Sequence, residues 1–176
     1  MNRKNAFSAI SAGAVFAAFA AAGTASFSAQ AAPITKNASF LVSLIVSSDC
    51  SISANPLPFG TADSTLVTLA MKHDTNLSVT CTTGTTYTVA LDAGTVTGSA
   101  VTGRLMAGTG TNTSTVQYQL YSDSGYSSIW GDTSSNWVSG VGTGVAVSVP
   151  VYGEVPAQPI PAADNYSTTE TATITF

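Results

Sequence analysis

The chain has little charge. Only 8% of its 176 residues are Asp, Glu, Lys or Arg, whereas an ordinary soluble protein has about 25%. The 5 basic and 9 acidic residues give a formal net charge of −4. No Lys or Arg cluster could neutralise phosphates, which excludes nucleic acid as a partner. With 44% hydrophobic residues, the composition is also not that of a disordered chain. The length allows one domain with a short appendage.

Residues that carry chemistry are also scarce. His73 is the single histidine, and its polar surroundings predict an exposed turn between strands. Its neighbour Asp74 does not supply the nucleophile and orienting partner that a catalytic base needs. No Cys-x-x-Cys pair occurs, and two cysteines alone cannot complete a zinc site. The sequence therefore predicts no enzyme, no cofactor and no metal site. The glycine-rich stretch 140–144 is interpreted as a hairpin or loop, because no βαβ unit follows it.

The N-terminus has the pattern of a secretory signal. Arg3 and Lys4 precede an apolar stretch from Ala6 to Ala22, and the sequence Ala-Gln-Ala follows at residues 29–31. A weak transmembrane helix is the alternative, but a basic start with an Ala-x-Ala ending predicts cleavage after Ala31. The exported chain would keep three cations against nine acids, a formal charge of −6. It would have no transmembrane segment. We expect three regions: a signal peptide (1–31), an N-terminal segment (32–49) and a β-domain (50–176).

The two cysteines, Cys50 and Cys81, both lie in the exported part. A lone pair in an oxidising compartment usually forms one disulfide. Two free thiols, or half of a metal site, are the alternatives. The sequence favours the disulfide, which would close a loop of about 30 residues.

Alternating apolar and polar residues predict an all-β domain. Such runs begin at Phe40, Leu77, Tyr87, Val116, Val145 and Ala172, and turn-rich pieces separate them. Alternation marks half-buried strands. The abundant Thr and Val suit pleated sheets better than helices. Short spaced strands of this kind predict a sandwich of two antiparallel sheets.

The first run has two interpretations. Its apolar side chains are Phe40, Val42, Leu44 and Val46. They could belong to the first strand of the domain's own sheet, or to a strand that leaves its own domain and fills a groove in a neighbouring copy. The chain also lacks the charged side chains that normally stop edge strands from pairing with other chains. Either the edges are covered, or edge pairing is the function.

Two tryptophans allow a different function. Trp130 and Trp137 flank a loop rich in Ser and Asp. Exposed aromatic rings beside carboxylates could bind sugar, so a secreted carbohydrate-binding module is an alternative. The competing interpretation places Trp130 in the core.

The order of the short motifs resembles a known family. The motifs run through nearly the whole exported chain: Cys50, Phe59-Gly60, Val79-Thr80-Cys81-Thr82, Tyr87 to Gly94, Arg104-Leu105-Met106, Tyr118-Gln119-Leu120-Tyr121, Trp130-Gly131-Asp132, Val151-Tyr152-Gly153, Val155 to Gln158, Tyr166 and Thr171 to Phe176. Together they resemble the spore coat U domain, which is the pilin-type domain of archaic (Csu-like) chaperone–usher pili.

The resemblance implies a fold and a mechanism. Pilins of this family have an immunoglobulin-like antiparallel β-sandwich that lacks its last strand. A periplasmic chaperone lends a strand to the open groove, and an outer-membrane usher replaces it with the N-terminal strand of the next subunit. Such fibres support adhesion and biofilm formation on the cell surface. The resemblance makes Phe40, Val42, Leu44 and Val46 a donor strand, and makes Ala172, Ile174 and Phe176 an edge of the acceptor groove.

A tip adhesin of this family would need a second, receptor-binding domain. We therefore expect a shaft subunit, whose partners are the chaperone, the usher and copies of itself or related pilins. A secreted non-fibrous coat protein is the remaining alternative.

Overall fold

The structure, a computed structural model, describes residues 31–176. The predicted signal peptide lies outside the described residues, apart from Ala31. The chain divides into two units after Ser43. The described part of the first unit, 31–43, forms no strand and is exposed. No helix within residues 31–176 is long and apolar enough to cross a membrane.

The second unit is built from eight strands. They are β1 (Cys50–Ala54), β2 (Met71–Cys81), β3 (Thr86–Leu91), β4 (Arg104–Ala107), β5 (Thr115–Tyr121), β6 (Val138–Val141), β7 (Val147–Val155) and β8 (Ala172–Thr175). One short 3-10 turn, Ser64–Val67, lies between β1 and β2. The all-β prediction is confirmed.

The strands form two antiparallel sheets. The larger sheet has the order β1-β2-β7-β5-β4, and the smaller has the order β6-β3-β8. Every named strand pair is antiparallel. The two sheets enclose one core, which gives the predicted immunoglobulin-like sandwich.

Alternation explains which side chains enter the core. In β3 the side chains of Tyr87, Val89 and Leu91 are buried, whereas those between them are not. β2 shows the same pattern around Val79, and β5 shows it from Thr115 to Tyr118, after which Gln119 and Leu120 are both buried. The buried apolar side chains form one cluster: Leu66, Leu77, Val79, Cys81, Tyr87, Val89, Leu91, Val116, Tyr118, Leu120, Trp130, Val149, Val151 and Val155.

The predicted disulfide is formed. Cys50 and Cys81 are direct cross-strand partners of β1 and β2, with Cα atoms 4.1 Å apart. Cys50 is the first residue of β1 and follows the segment 31–49. Cys81 is the last residue of β2 and precedes the turn to β3. The bond thus fastens the first strand of the sandwich to its neighbour.

Three expectations about local structure differ from the structure. His73 is exposed as predicted, but it lies inside β2 opposite Gly153 of β7, not in a turn. The stretch 140–144 is only partly a loop, because Gly140 lies in β6. A Cβ atom on Gly140 would clash with the buried ring of Tyr87, so glycine is required there. The next strand, β7, begins at Val147 instead of Val145.

The run from Phe40 to Val46 is not a strand of the sandwich. No strand is assigned in residues 31–49, and the first strand begins at Cys50. The interpretation of this run as the first strand of the domain's own sheet is therefore wrong. Its role as a donor strand stays a prediction.

Candidate functional site

One side of the sandwich carries two edge strands. β1 pairs only with β2, and β8 pairs only with β3 among the described strands. β1 and β8 belong to different sheets, yet some of their Cα atoms lie within 8 Å of each other. Their outer backbone groups are free to pair with a further strand.

A cleft of about 1080 Å³ opens beside these edges. One wall is the end of β1 with the segment 55–62 that follows it, and the other is the segment 160–170 with Ala172, the first residue of β8. Core side chains form its floor, among them Leu77, Tyr118 and Val151. The cleft therefore gives access to the hydrophobic core between the edges of the two sheets.

The rim of the cleft is apolar and only half-buried. The side chains of Leu57, Phe59, Met106, Tyr166 and Ala172 pack against the core but keep part of their surface exposed. Apolar surface left in contact with water can still release free energy when it is covered, at about 25 cal/mol per Å². The core is therefore incomplete on this side.

The predicted edge residues are placed in different ways. Ala172 and Ile174 lie in β8 opposite Leu91 and Val89, and both pack against the core. Phe176 lies beyond the end of β8 and is 56% exposed. It lines a second cavity of about 550 Å³ near Trp137 and Val141. The alternation predicted one face for all three, but the strand ends at Thr175 before the pattern is complete.

The predicted donor residues Phe40, Val42, Leu44 and Val46 are all exposed, by 72% or more. Leu41 and Ile45 between them are exposed to a similar extent. Several adjacent large apolar side chains in water are unusual for a soluble protein.

The base of this segment is fixed to the sandwich. The backbone N–H of Thr82 donates to the carbonyl oxygen of Asp49 over 2.9 Å. The Thr82 hydroxyl oxygen accepts from the N–H of Asp49 over 3.2 Å and lies 3.2 Å from the carbonyl oxygen of Ser47. Together with the disulfide, these contacts hold the base at the Cys81 end of β2. The cleft is lined by Met71, Thr75 and Leu77 of the same strand, away from that end.

A buried polar cluster lies beneath the start of β8. Arg104 has no exposed surface. Its Nη2 donates to the carbonyl oxygen of Asp92 over 2.7 Å, and its Nε lies 3.4 Å from Oε1 of Glu170. The Tyr118 hydroxyl donates to the same Glu170 oxygen. Oδ1 of Asp92 accepts from the N–H of Thr171 over 2.9 Å, one residue before β8.

The pKa values of this cluster are shifted in opposite directions. Burial raises the pKa of Glu170 above 4.5, and the proximity of Asp92 adds to the shift. Burial would also raise the pKa of Asp92, but hydrogen bonds from Thr171 and Gly94 outweigh it and lower the pKa below 3.8. Burial and Glu170 raise the pKa of Tyr118, so it stays a neutral donor.

Sequence reasoning did not find this cluster. Arg104 belongs to one of the short motifs, and Glu170 belongs to none. The available signal was that Arg104 is the only arginine after the predicted signal peptide. A cation in an apolar domain with so few charges has to be paired if it is buried.

The two tryptophans do not form an exposed pair. Trp130 is completely buried, and its Nε1 donates to the carbonyl oxygen of Val89 over 2.9 Å. The interpretation of Trp130 as a core residue is confirmed, so it cannot present a ring to a sugar. Trp137 is 39% exposed. Asp123 caps its own turn by accepting from the N–H groups of Ser127 and Ser128. Within residues 31–176, no three His, Cys, Asp or Glu side chains gather into a possible metal site.

Comparison with known proteins agrees with the motifs and the fold. Residues 36–175 match the family of the Spore Coat Protein U domain. The chain belongs to the Spore Coat Protein U family. Among relatives of this Spore Coat Protein U domain, Protein U of Myxococcus xanthus is 35% identical over 176 residues. That alignment covers 93% of this chain and 97% of Protein U. The resemblance predicted from the motifs is confirmed at the level of the family.

A solved structure shares the fold of this Spore Coat Protein U domain. It is a chain in the CsuC–CsuE chaperone–tip adhesion subunit pre-assembly complex from the archaic chaperone-usher Csu pili of Acinetobacter baumannii. The TM-score is 0.54 at 20% sequence identity, over 74% of the present chain. The match spans 40% of the other chain, less than half its length. At this identity the likeness shows a common fold.

Proposed function

We propose that this protein is a structural subunit of an extracellular pilus that polymerises head-to-tail by strand donation. The N-terminal segment of one subunit, 32–49, enters the cleft of the next and pairs with the free edge of β8. A subunit that donates at one place and accepts at another forms an open fibre, not a closed ring. The protein acts by assembly and not by catalysis.

The observation that carries the proposal is the open cleft between two edge strands. An extended peptide that joins a sheet edge gains main-chain hydrogen bonds, and its alternate side chains fill pockets. The free edges of β1 and β8 offer the main-chain hydrogen-bonding groups. The half-buried rim around Leu57, Phe59 and Ala172 offers the pockets. The exposed alternation from Phe40 to Val46 supplies side chains of the required kind.

The energies are large enough for assembly. Burying four large apolar side chains is worth roughly 6–12 kcal/mol, at about 1.5–3 kcal/mol each. A whole domain is stable by only about 5–15 kcal/mol. Occupation of the cleft would therefore raise the stability of the subunit by an amount comparable with its own folding free energy.

The route to the fibre follows from the same proposal. Residues 1–31 direct export to the periplasm, where a chaperone covers the cleft until an outer-membrane usher exchanges it for the next subunit. The finished fibre lies on the cell surface, where it supports adhesion and biofilm formation. The subunit occupies the shaft, and its partners are the chaperone, the usher and further copies of this pilin or related ones.

The proposal is tested with the exported chain on SDS gels, run with and without boiling. We expect a ladder of oligomers without boiling that collapses to one band after it. Deletion of residues 32–47 should abolish the ladder and leave a monomer that accepts a synthetic peptide of residues 36–47. A full-length chain that stays a monomer, with a stability indifferent to the deletion, would contradict the proposal.

A second candidate is a non-fibrous coat protein. The observation in its favour is the 35% identity to Protein U, together with the coat protein after which the domain family is named. The two candidates differ in the product of assembly. Electron microscopy of expressing cells should show thin fibres for a pilus and an amorphous layer for a coat.

A further inference from the structure

Glu170 contains a buried oxygen that has no partner. Its Oε1 is engaged by the Tyr118 hydroxyl and lies near Arg104, but its Oε2 is fully buried without a hydrogen bond. A buried acceptor left unpaired costs free energy, so each such atom calls for an explanation. The side chain of Glu170 as a whole keeps 19% of its surface exposed.

The carboxyl group of Asp92 lies beside Glu170. Its Oδ1 accepts from the N–H of Thr171, the residue after Glu170, over 2.9 Å and from the N–H of Gly94 over 3.0 Å. A Cβ atom on Gly94 would in turn lie 2.9 Å from Oε1 of Glu170. Two ionised carboxylates cannot bond to each other, because neither has a hydrogen to donate. The charges lead to the same conclusion. Among the described residues, Arg104 is the cation in contact with this pair, with Nε 3.4 Å from Oε1 of Glu170, so two ionised carboxylates would leave one negative charge without a cation. One added proton makes the group of three neutral.

We propose that Asp92 and Glu170 share one proton in the folded protein, carried by Glu170 and donated from its Oε2 to the Asp92 carboxylate. The proton ties the start of β8 to the end of β3, since Asp92 also accepts from the N–H of Thr171. We further infer, resting on the proposed function, that a strand in the cleft holds this proton more firmly.

The facing groups come from three elements. Arg104 is on β4, Tyr118 is on β5, and Asp92 follows β3. Because the pKa of Glu170 is raised, its contribution to stability is fully present below pH 4.5 and is lost as the pH rises through the raised value. Because the pKa of Asp92 is lowered, its contribution is present above pH 3.8 and is lost as the pH falls through the lowered value. Both contributions to stability are therefore fully present between pH 3.8 and pH 4.5.

The link to the cleft is direct, because Glu170 is one of its lining residues along with Thr168 and Ala172. A strand in the cleft covers the remaining exposed surface of Glu170, and burial favours the neutral acid. Occupation is then coupled to proton uptake, so binding weakens as the pH rises. If occupation raises the midpoint of Glu170 by one pH unit, binding must be about tenfold tighter below both midpoints than above them.

The shared proton is tested on the purified protein by following the side-chain carboxyl carbons by NMR between pH 3 and 8. The expected midpoint of Glu170 lies above 4.5. In Asp92→Asn the new amide can donate to ionised Glu170, so this midpoint should fall. Glu154→Gln is the matched control: it removes a surface charge paired with Lys72 at 3.8 Å, and should leave the Glu170 midpoint in place. A wild-type midpoint at or below 4.5 would overturn the shared proton.

Urea unfolding supplies a second measurement. The amide of Glu170→Gln can donate to Asp92 and accept from Tyr118, as the protonated acid does. Its unfolding midpoint should therefore lose the decline with rising pH that the wild type shows above pH 4.5. An identical pH dependence in the two proteins would also overturn the proposal.

The link to the cleft is tested by adding a peptide of residues 36–47 to the variant that lacks residues 32–47. We expect the bound peptide to raise the Glu170 midpoint, and its affinity to fall with pH in this variant but not when Glu170→Gln is added. Equal pH dependence of binding with and without Glu170→Gln overturns the link alone. A peptide that does not bind contradicts the proposed function and the link together, whereas the shared proton is still decided by the Glu170 midpoint of the empty protein.

Discussion

Arg104 and Trp130 are joined inside the core: Nη2 of Arg104 donates to the carbonyl oxygen of Trp130 over 2.8 Å, and neither side chain has exposed surface. Nη1 of Arg104 also donates to Oε1 of Gln119 on β5 over 2.6 Å. Nε1 of Trp130 donates to the carbonyl oxygen of Val89 on β3. The two residues therefore link the larger sheet to the smaller one through hydrogen bonds as well as packing.

Arg104→Met should destabilise the protein strongly. The change leaves several buried carbonyl oxygens without their donor and the Glu170 carboxyl group without its cation. Breaking a buried ionic group by removing one partner costs about 3–5 kcal/mol. Urea unfolding followed by tryptophan fluorescence measures the loss. The control is Lys72→Met, which breaks a surface pair of 3.8 Å and should cost about 0–1 kcal/mol. Equal effects of the two changes would contradict the role given to Arg104.

Replacing both cysteines, with Cys50→Ala and Cys81→Ala together, should lower the free energy of unfolding by about 3–4 kcal/mol. The bond joins residues 31 apart, and a loop of that length is worth roughly this amount in the chain-entropy account. Urea midpoints with and without reductant provide the measurement. Reductant should weaken the wild type towards the double variant and leave the double variant unchanged. A wild type indifferent to reductant would mean that the bond does not form.

A charge on the apolar side of the N-terminal segment should block assembly. Val42→Asp places a carboxylate where the proposed donor strand faces a pocket, and Ser43→Asp places it on the opposite side. Both positions are exposed in the monomer, so neither change should alter monomer stability. On unboiled SDS gels, Val42→Asp should lose most of the ladder, whereas Ser43→Asp should keep it. Equal loss in both variants would argue against alternate side chains filling the cleft.

Asp164→Ala should loosen one wall of the cleft. The Asp164 carboxylate accepts from the N–H of Thr109 over 2.7 Å and from Nδ2 of Asn112 over 2.8 Å. The hydroxyl of Thr109 and these donors lower the pKa of Asp164, so its hold is present above pH 3.8 and is lost as the pH falls through the lowered value. Limited proteolysis should cut residues 156–165 faster in Asp164→Ala than in the wild type or in the exposed control Asp132→Ala. Unchanged cleavage would contradict this role.

Much of the fold could be predicted from alternation. The runs around Val79, Val89, Tyr118, Val149 and Ile174 all lie in strands, because each alternates large apolar side chains over a full face. The strands β1, β4 and β6 were not predicted. They are only four or five residues long, and β4 and β6 include Arg104 and Gly140, which interrupt the apolar pattern.

The run from Phe40 to Val46 shows the limit of such reasoning. Alternation indicates that a strand has one apolar side, but it does not indicate which sheet that strand joins. The same pattern is buried around Val89 and exposed around Leu44. The proximity of Asp92 and Glu170 also could not be predicted, since the two residues are distant in the chain and meet only through the β3–β8 pairing.

By itself, the amino-acid sequence determined the class of fold, the disulfide and the family, because strand alternation, a lone cysteine pair and ordered motifs are local or compositional features. Only the tertiary structure decided which edges stay open, where the cleft lies, and that the single arginine of the domain is buried against the carboxyl group of Glu170 and the backbone of Asp92. Those properties depend on which strands become neighbours. That choice is made by packing of the whole core, and no short stretch of residues contains it.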